Sequence, residues 1–491
     1  MKSVSRGALF RGVSVSVLAL ALAACTANPT PLDRPGDVPQ AFTAPMNTSA
    51  QLWPQANWWT AFQAEELAPL EDTAQKENLD VAVAAARVLQ AEANDGVALS
   101  ALFPTLGANF GATRAGSNTP GFSGGTGGTT SGRASNRFTA GLTASYQQSF
   151  FGQEYMQLRA AREGLRASRY AAAVVNISIQ AQVADAYFTI LSLRERIAIN
   201  RANVDAAKRI LTITQAKVSS GVTSNLELAE QQAIVASQQS QLPGLIELEK
   251  EARYNLAILL GRAPENFDVK AQNLDGIVSP DVQAGLPSEL ILRNPAVAQA
   301  EAQLYAAHAN VDAARASYFP FLNLTGSAGY GAVSQLSNLF NPATFAWSIG
   351  ATVLQSIFDG GAVHAQNDLA KAEQQEMVAT YRKTVFTAFS DVESALGNVK
   401  ATNERLGFID IQTKASAEAF RISELQYREG TIDILSLLQN QQSLFSAQDA
   451  LVQTKLARLE ANLSLFNALG GGWEQKADDA NYKNQLDWWP L

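Results

Sequence analysis

The 491-residue chain has one cysteine, Cys25, and two histidines, His308 and His364, far apart in sequence. A disulfide framework and a zinc cluster are thereby excluded. Basic charge is also scarce: 37 Lys and Arg stand against 45 Asp and Glu, for a formal charge of −8. A nucleic-acid-binding face needs the opposite sign. There is no glycine-rich phosphate loop, so the chain does not hydrolyse nucleotide itself. Neither histidine has a visible catalytic partner, and both read as packed or surface residues, so no enzyme is expected. Beyond the N-terminal 24 residues, no run is apolar enough for a transmembrane helix. Proline is missing from 153–218, where Gly164 is the only interior glycine. Such a stretch reads as one helix on the order of 100 Å long.

The lone cysteine has an address. Lys2, Arg6 and Arg11 make a basic start, and Val13 to Leu22 is apolar but too short to span a bilayer. The stretch ends Leu22-Ala23-Ala24-Cys25, which resembles the lipobox of bacterial lipoproteins. That resemblance implies cleavage before Cys25 and a covalent lipid on its sulfur, the only attached group expected. Thr26, rather than aspartate, follows the cysteine and favours the outer membrane. The alternative is an ordinary secretory signal.

What is abundant is self-similarity. Asn78 to Asn94 matches Asn294 to Asn310, and Phe103-Pro104 matches Phe319-Pro320. The segment from Phe138 resembles that from Phe345, Gly221 aligns with Gly430, and Leu260-Gly261 with Leu469-Gly470. The period is roughly 210 residues, too long for a solenoid unit. Each half reads as helix, strand, strand, long helix, bend, long helix.

The strands alternate. Leu106, Ala108, Phe110 and Ala112 oppose Thr105, Gly107, Asn109 and Gly111; Phe138, Ala140, Leu142, Ala144 and Tyr146 oppose Thr139, Gly141, Thr143, Ser145 and Gln147. Leu322, Leu324, Ala328 and Tyr330 oppose Asn323, Thr325, Ser327 and Gly329; Phe345, Trp347, Ile349, Ala351 and Val353 oppose Ser348, Gly350 and Thr352. Runs of about ten residues with one small polar face suit a membrane β-strand, the alternative being a soluble hairpin sheet with one wet face. Ala115 to Asn136, rich in Gly, Ser and Thr, reads as a flexible external loop. In the first long helix Ile179, Val183, Ala186, Ile190, Leu193, Ile197, Val204, Ala207, Leu211 and Val218 keep 4-3 spacing, interrupted by Asn200 and Thr214. Val385, Phe389, Val392, Leu396 and Val399 repeat it in the second half, and the register blurs beyond Leu406. A sustained heptad packs along its length against other helices. Pro243 and Gly244 are expected to bend the first return helix.

Four strands cannot close a membrane barrel alone, because the smallest have eight and an open edge in lipid leaves backbone groups unsatisfied. The chain therefore shares a barrel with copies of itself. Taken together, the lipobox, the duplicated unit and the two bends resemble the TolC-type outer-membrane factors of tripartite efflux systems, in the lipoprotein branch called NodT-type. The resemblance runs from about Cys25 to Gly470. It implies a homotrimer with a twelve-stranded shared β-barrel and a long periplasmic α-helical barrel, with segments flanking Asn78, Asn294 and the C-terminus as an equatorial belt. It implies a passive exit duct for small toxic compounds, anchored in outer-membrane lipid, and no nucleic-acid partner. Its partners would be a periplasmic adaptor (membrane-fusion) protein and an inner-membrane transporter of the resistance-nodulation-division class. The alternatives are the exit duct of a type I protein-secretion system and a coiled-coil envelope lipoprotein without a pore.

The expected layout is a signal peptide at 1–24, a lipid-anchored segment at 25–60, repeats at 61–270 and 271–470, and a tail at 471–491. Strands are placed at about 104–114, 137–149, 319–331 and 344–356, long helices at about 152–218 and 361–428, and return helices at about 224–260 and 433–469.

The bends carry the candidate site. Gly221 and Gly430 suit a positive-φ helix end, and Thr223, Ser224 and Asp433 suit helix caps. The resemblance implies that Tyr427, Arg428 and Asp433 also narrow the pore and that this tip docks the adaptor. A three-fold ring of Asp433 would favour cations. Gln439 occupies a place where the family often has aspartate, while Glu227 and Glu230 supply charge nearby or serve as solvated surface.

Overall fold

The computed structural model describes residues 42, 54–115, 135–280, 287–333 and 335–473. The expected signal peptide, Cys25, most of the segment to residue 60, most of the Ala115–Asn136 loop and the tail beyond Trp473 lie outside them.

The first half comprises α1 (Leu67–Glu77), α2 (Leu79–Ser100), β1 (Thr105–Ala115), β2 (Ser135–Ser149), α3 (Gln153–Ser219) and α4 (Asn225–Leu259). The second comprises α5 (Pro287–Arg293), α6 (Pro295–Ala316), β3 (Phe321–Val333), β4 (Phe345–Leu354), α7 (Ala362–Glu429) and α8 (Ile434–Ala468). The halves follow the same order of elements. α3 and α7 have 67 and 68 residues, so each is about 100 Å long. α4 continues as one helix through Pro243.

Each half is closed by the same asparagine device. Asn78 Oδ1 accepts the N–H groups of Asp80 (2.8 Å) and Val81 (3.0 Å), capping α2, while its Nδ2 donates to Leu259 O at 2.7 Å. Asn294 caps α6 through Ala296 and Val297 and donates to Ala468 O at 3.3 Å. One side chain thus satisfies orphan donors at a helix start and an orphan carbonyl at a helix end. The next turn must come close. Gly261 has φ +67°, and a Cβ there would lie 2.0 Å from Glu77 O. Gly470 has φ +85°, with Arg293 O at 2.4 Å. Only glycine tolerates both the left-handed backbone and the approach.

The largest core gathers around this closure. Trp58 stacks on Phe466 at 5.0 Å, and Phe62 lies 5.3 Å from Phe188. α3 therefore packs against both the N-terminal turn Trp58–Phe62 and α8. Arg194 binds the segment after α4 to the helices: its Nε donates to Glu249 at 2.8 Å, its Nη1 to Val269 O and Ala271 O at 2.6 and 2.8 Å, and its Nη2 to Asp268.

The strands form one antiparallel sheet in the order β1-β2-β3-β4. Its register puts the apolar members of every strand together: Leu106 faces Ala144, Ala144 faces Gly326, and Gly326 faces Ile349. The polar members share the other face, where Thr105 and Ser145 hydroxyls lie 2.7 Å apart and those of Ser327 and Ser348 lie 2.8 Å apart. The apolar face is uncovered; Leu106 is 74% and Ile349 82% exposed. A bare apolar face of this size on a twisted sheet is built for lipid rather than water. Among the described residues, no helix is long and apolar enough to cross a membrane.

Candidate functional site: the paired helical turns

α3 and α7 end in the same kind of turn. Gly221 has φ +72° and Gly430 φ +76°. The Val222 N–H reaches back to Lys217 O at 2.9 Å, and the Thr431 N–H to Gln426 O at 2.9 Å. These bonds close the last carbonyls of each long helix. The return helices start on caps. Ser224 Oγ accepts the Glu227 N–H at 3.5 Å, and Asp433 Oδ1 accepts the Ser436 N–H at 2.9 Å. That N–H holds the Asp433 carboxyl below the usual carboxylate range.

The two turns differ in what joins them. Tyr427, on the last turn of α7, is 2% exposed. Its hydroxyl sits 3.1 Å from Thr214 Oγ1 of α3 and donates to Glu227 Oε2 of α4 at 3.3 Å. Lys217 Nζ lies 4.1 Å from the centre of the Tyr427 ring and donates to the Tyr427 carbonyl. A lysine over an aromatic face and beside a helix C-terminus is favoured twice, by the ring quadrupole and by the helix dipole. Burial, then the nearby Glu227 carboxylate, pushes the Tyr427 phenol up. Val218 occupies the matching place in the first half, so the aromatic link exists once.

Of the residues singled out from sequence, Tyr427 and Glu227 meet directly. Gly221, Gly430, Ser224 and Asp433 shape the turns. The Thr223 hydroxyl is buried without a hydrogen-bond partner. Arg428 and Gln439 are exposed, and Glu230 is half-buried. Thr214 and Lys217 were not among the site residues expected. Thr214 had a signal, because it interrupts the heptad of α3. The other interruption behaves alike: buried Asn200 donates to Gln238 O at 3.2 Å. Gln231, fully buried, donates to Ala207 O at 2.8 Å. The histidines are in ordinary contacts. His308 accepts from Gln374 at 2.8 Å, and His364 lies 3.2 Å from the Tyr318 hydroxyl. Among the described residues no group of three or more His, Cys, Asp or Glu could hold a metal ion.

A duplicated subunit with an open, lipid-suited sheet and two very long helical hairpins defines an outer-membrane channel protein. The chain belongs to the outer membrane efflux protein family, whose model matches residues 70–262 and 286–471. It is 37% identical over 464 residues to the pyoverdine export outer membrane protein OpmQ of Pseudomonas aeruginosa, covering 94% of this chain and 97% of that one. It is 28% identical over 462 residues to the cation efflux system protein CusC of Escherichia coli, covering 93% and 98%. Among solved structures, the outer-membrane channel OprN superposes with a TM-score of 0.80 at 28% identity, over 90% of this chain and 99% of that one.

Proposed function

We propose that three copies of this chain form a passive, tip-gated exit duct for small compounds, held in the outer membrane by a shared twelve-stranded barrel and by lipid at Cys25. The carrying observation is the sheet: four strands with an uncovered apolar face and two open edges, β1 and β4. Lipid offers no partner to those edges, so only further strands satisfy them. The helices extend the tube through the periplasm to the paired turns, which meet a periplasmic adaptor and, through it, a transporter of the resistance-nodulation-division class in the inner membrane. Relatives named for pyoverdine, cation, toluene and antibiotic export support a duct that leaves selection to the pump.

Purified chain in detergent should have the mass of a trimer and conduct in a planar bilayer. Deletion of the gene should sensitise cells to members of a toxic-compound panel, with rescue by the intact gene. Cys25→Ala should lose the lipid mass. A monomer without conductance would overturn the proposal.

A further inference from the structure

The sheet of this acidic chain carries no acid. No Asp or Glu occurs in 96–153 or 316–358, the two stretches that contain all four strands and both strand-to-strand connections. The second stretch has no Lys, Arg or His either. Among the described strand residues, the only charged side chains are Arg114 of β1 and Arg137 of β2.

The two arginines stand at one height on opposite faces. Arg137 is the partner of Thr113, and Arg114 of Asn136. Further along the polar face, a Cβ on Gly111 would lie 2.8 Å from Thr139 Oγ1, and one on Gly141 would lie 3.3 Å from Asn109 Oδ1. Side chains alternate along a strand, so Arg137 shares the face of Thr139, and Arg114 shares the apolar face of Ala112. The β2–β3 register shifts between Phe138 and Ala140, where Gly331 and Ala332 of β3 oppose Thr139 alone. The β1–β2 register runs unbroken to Ala115 and Ser135. The extra residue therefore sits on β3 and leaves the alternation of β2 intact. The chain enters β1 from α2 and leaves β2 into α3, so both arginines lie at the end of the sheet away from the helices. Arg137 is exposed there. Along β2 the next acid is Glu154, beyond the opposite end of the strand. Twelve residues of strand, from Arg137 to Ser149, span roughly 40 Å, several Debye lengths at physiological salt.

We propose that Arg137 sets the charge preference of the outer mouth: repeated around the barrel, it forms a basic collar that favours the exit of small multivalent anions, carboxylates and phosphates, and holds back cations. The proposal rests on the closed barrel read above, which turns the polar face inward, and adds a selective residue to it. Arginine stays charged at any physiological pH and grips carboxylate or phosphate through two parallel N–H donors. A ring of one charge with no counter-charge favours ions of the other sign. Thr139, Thr143, Ser145 and Gln147, which follow on the same face of β2, are neutral. The candidate acidic ring at Asp433 lies at the far turns, so the side of addition separates the two.

The test is block of the full chain in planar bilayers by inorganic triphosphate, added on the sheet side or on the turn side. In about 10 mM salt, where the Debye length is roughly 30 Å, sheet-side triphosphate should block the parent at concentrations several-fold below those needed on the turn side. In about 1 M salt, where that length is roughly 3 Å, the difference should vanish. Arg137→Gln should weaken the sheet-side block several-fold and shift the reversal potential in a KCl gradient towards cations; Arg137→Lys should keep part of both. Arg114→Gln makes the same charge change at the same height on the other face and should match the parent. Arg133→Gln, in the connection outside the described residues, should lose less than Arg137→Gln. A larger loss at Arg114 or Arg133 than at Arg137 overturns the collar. If the Arg137 variants do not insert, the parent decides: equal block from both sides overturns it. A conducting trimer whose block ignores Arg137 overturns the collar and leaves the duct, whereas a chain that does not conduct overturns both.

Discussion

The hydroxyl of Tyr427 lies 3.1 Å from Thr214 Oγ1, joining the ends of the two long helices 213 residues apart in sequence. The same hydroxyl donates to Glu227. Tyr427→Phe removes both bonds and keeps the ring under Lys217. At about 0.5–1.5 kcal/mol net for each, the loss is worth roughly one decade in an equilibrium, since about 1.4 kcal/mol is tenfold, and the tip gate proposed above then predicts roughly a tenfold rise in the open fraction. Single-channel recordings should show more frequent or wider openings. An unchanged conductance would mean that the bond stabilises the turn without restraining the pore.

Asp433 combines a cap with an exposed charge, and two substitutions separate these roles. Asn at this position still accepts the Ser436 N–H but carries no charge, whereas Ala loses both. Asp433→Ala should lower the melting temperature and Asp433→Asn should hardly change it. If the charge faces the pore, both should reduce cation over anion permeability to the same extent. The Asp433 carboxyl is held below its ordinary range. Its contribution is therefore present above pH 3.8 and is lost as pH falls through the lower folded value.

Glu71 is fully buried, and both its carboxylate oxygens lack a hydrogen-bond partner. Burial, with a smaller contribution from Asp72, pushes its pKa up to about 9 from 4.5. The folded state keeps the proton that the unfolded chain releases. Stability is thus greatest below pH 4.5 and falls as pH rises towards 9, by about 3 kcal/mol between pH 4.5 and 7. Glu71→Gln should melt above the parent at pH 8, with the gap closing towards pH 4.5. A gap independent of pH would show that the carboxyl is not protonated in the folded chain.

Much of this architecture could be read from residue order because it depends on period. The alternation in Leu106–Ala112 and Phe345–Val353 defines two faces, and the sheet register joins like faces across all four strands. Glycines at 221 and 430 mark turns because a positive φ is a local requirement. Lys217 was silent: a lysine near a helix end looks solvated until α7 brings an aromatic ring to it. Glu71 lies in an ordinary amphipathic pattern, and its burial depends on segments distant in sequence. The register of α7 blurs beyond Leu406 for a different reason. Phe408 and Ile411 are left uncovered by the described residues, so no packing against those residues imposes a repeat there.

The closure at the base of the first half makes the most discriminating stability test. Gly261 and Gly221 both have left-handed backbones, with φ of +67° and +72°. A methyl group at Gly221 meets nothing within 4 Å, whereas at Gly261 it would lie 2.0 Å from Glu77 O. Gly221→Ala should therefore cost only the left-handed penalty, about 1–2 kcal/mol. Gly261→Ala adds a backbone clash that no rotamer relieves, and it displaces the turn next to the bond from Asn78 to Leu259 O. Its melting temperature should fall well below that of Gly221→Ala, and Asn78→Ala should fall between the parent and Gly261→Ala. Equal losses at the two glycines would show that backbone conformation alone, and not the close approach of the two segments, governs this junction.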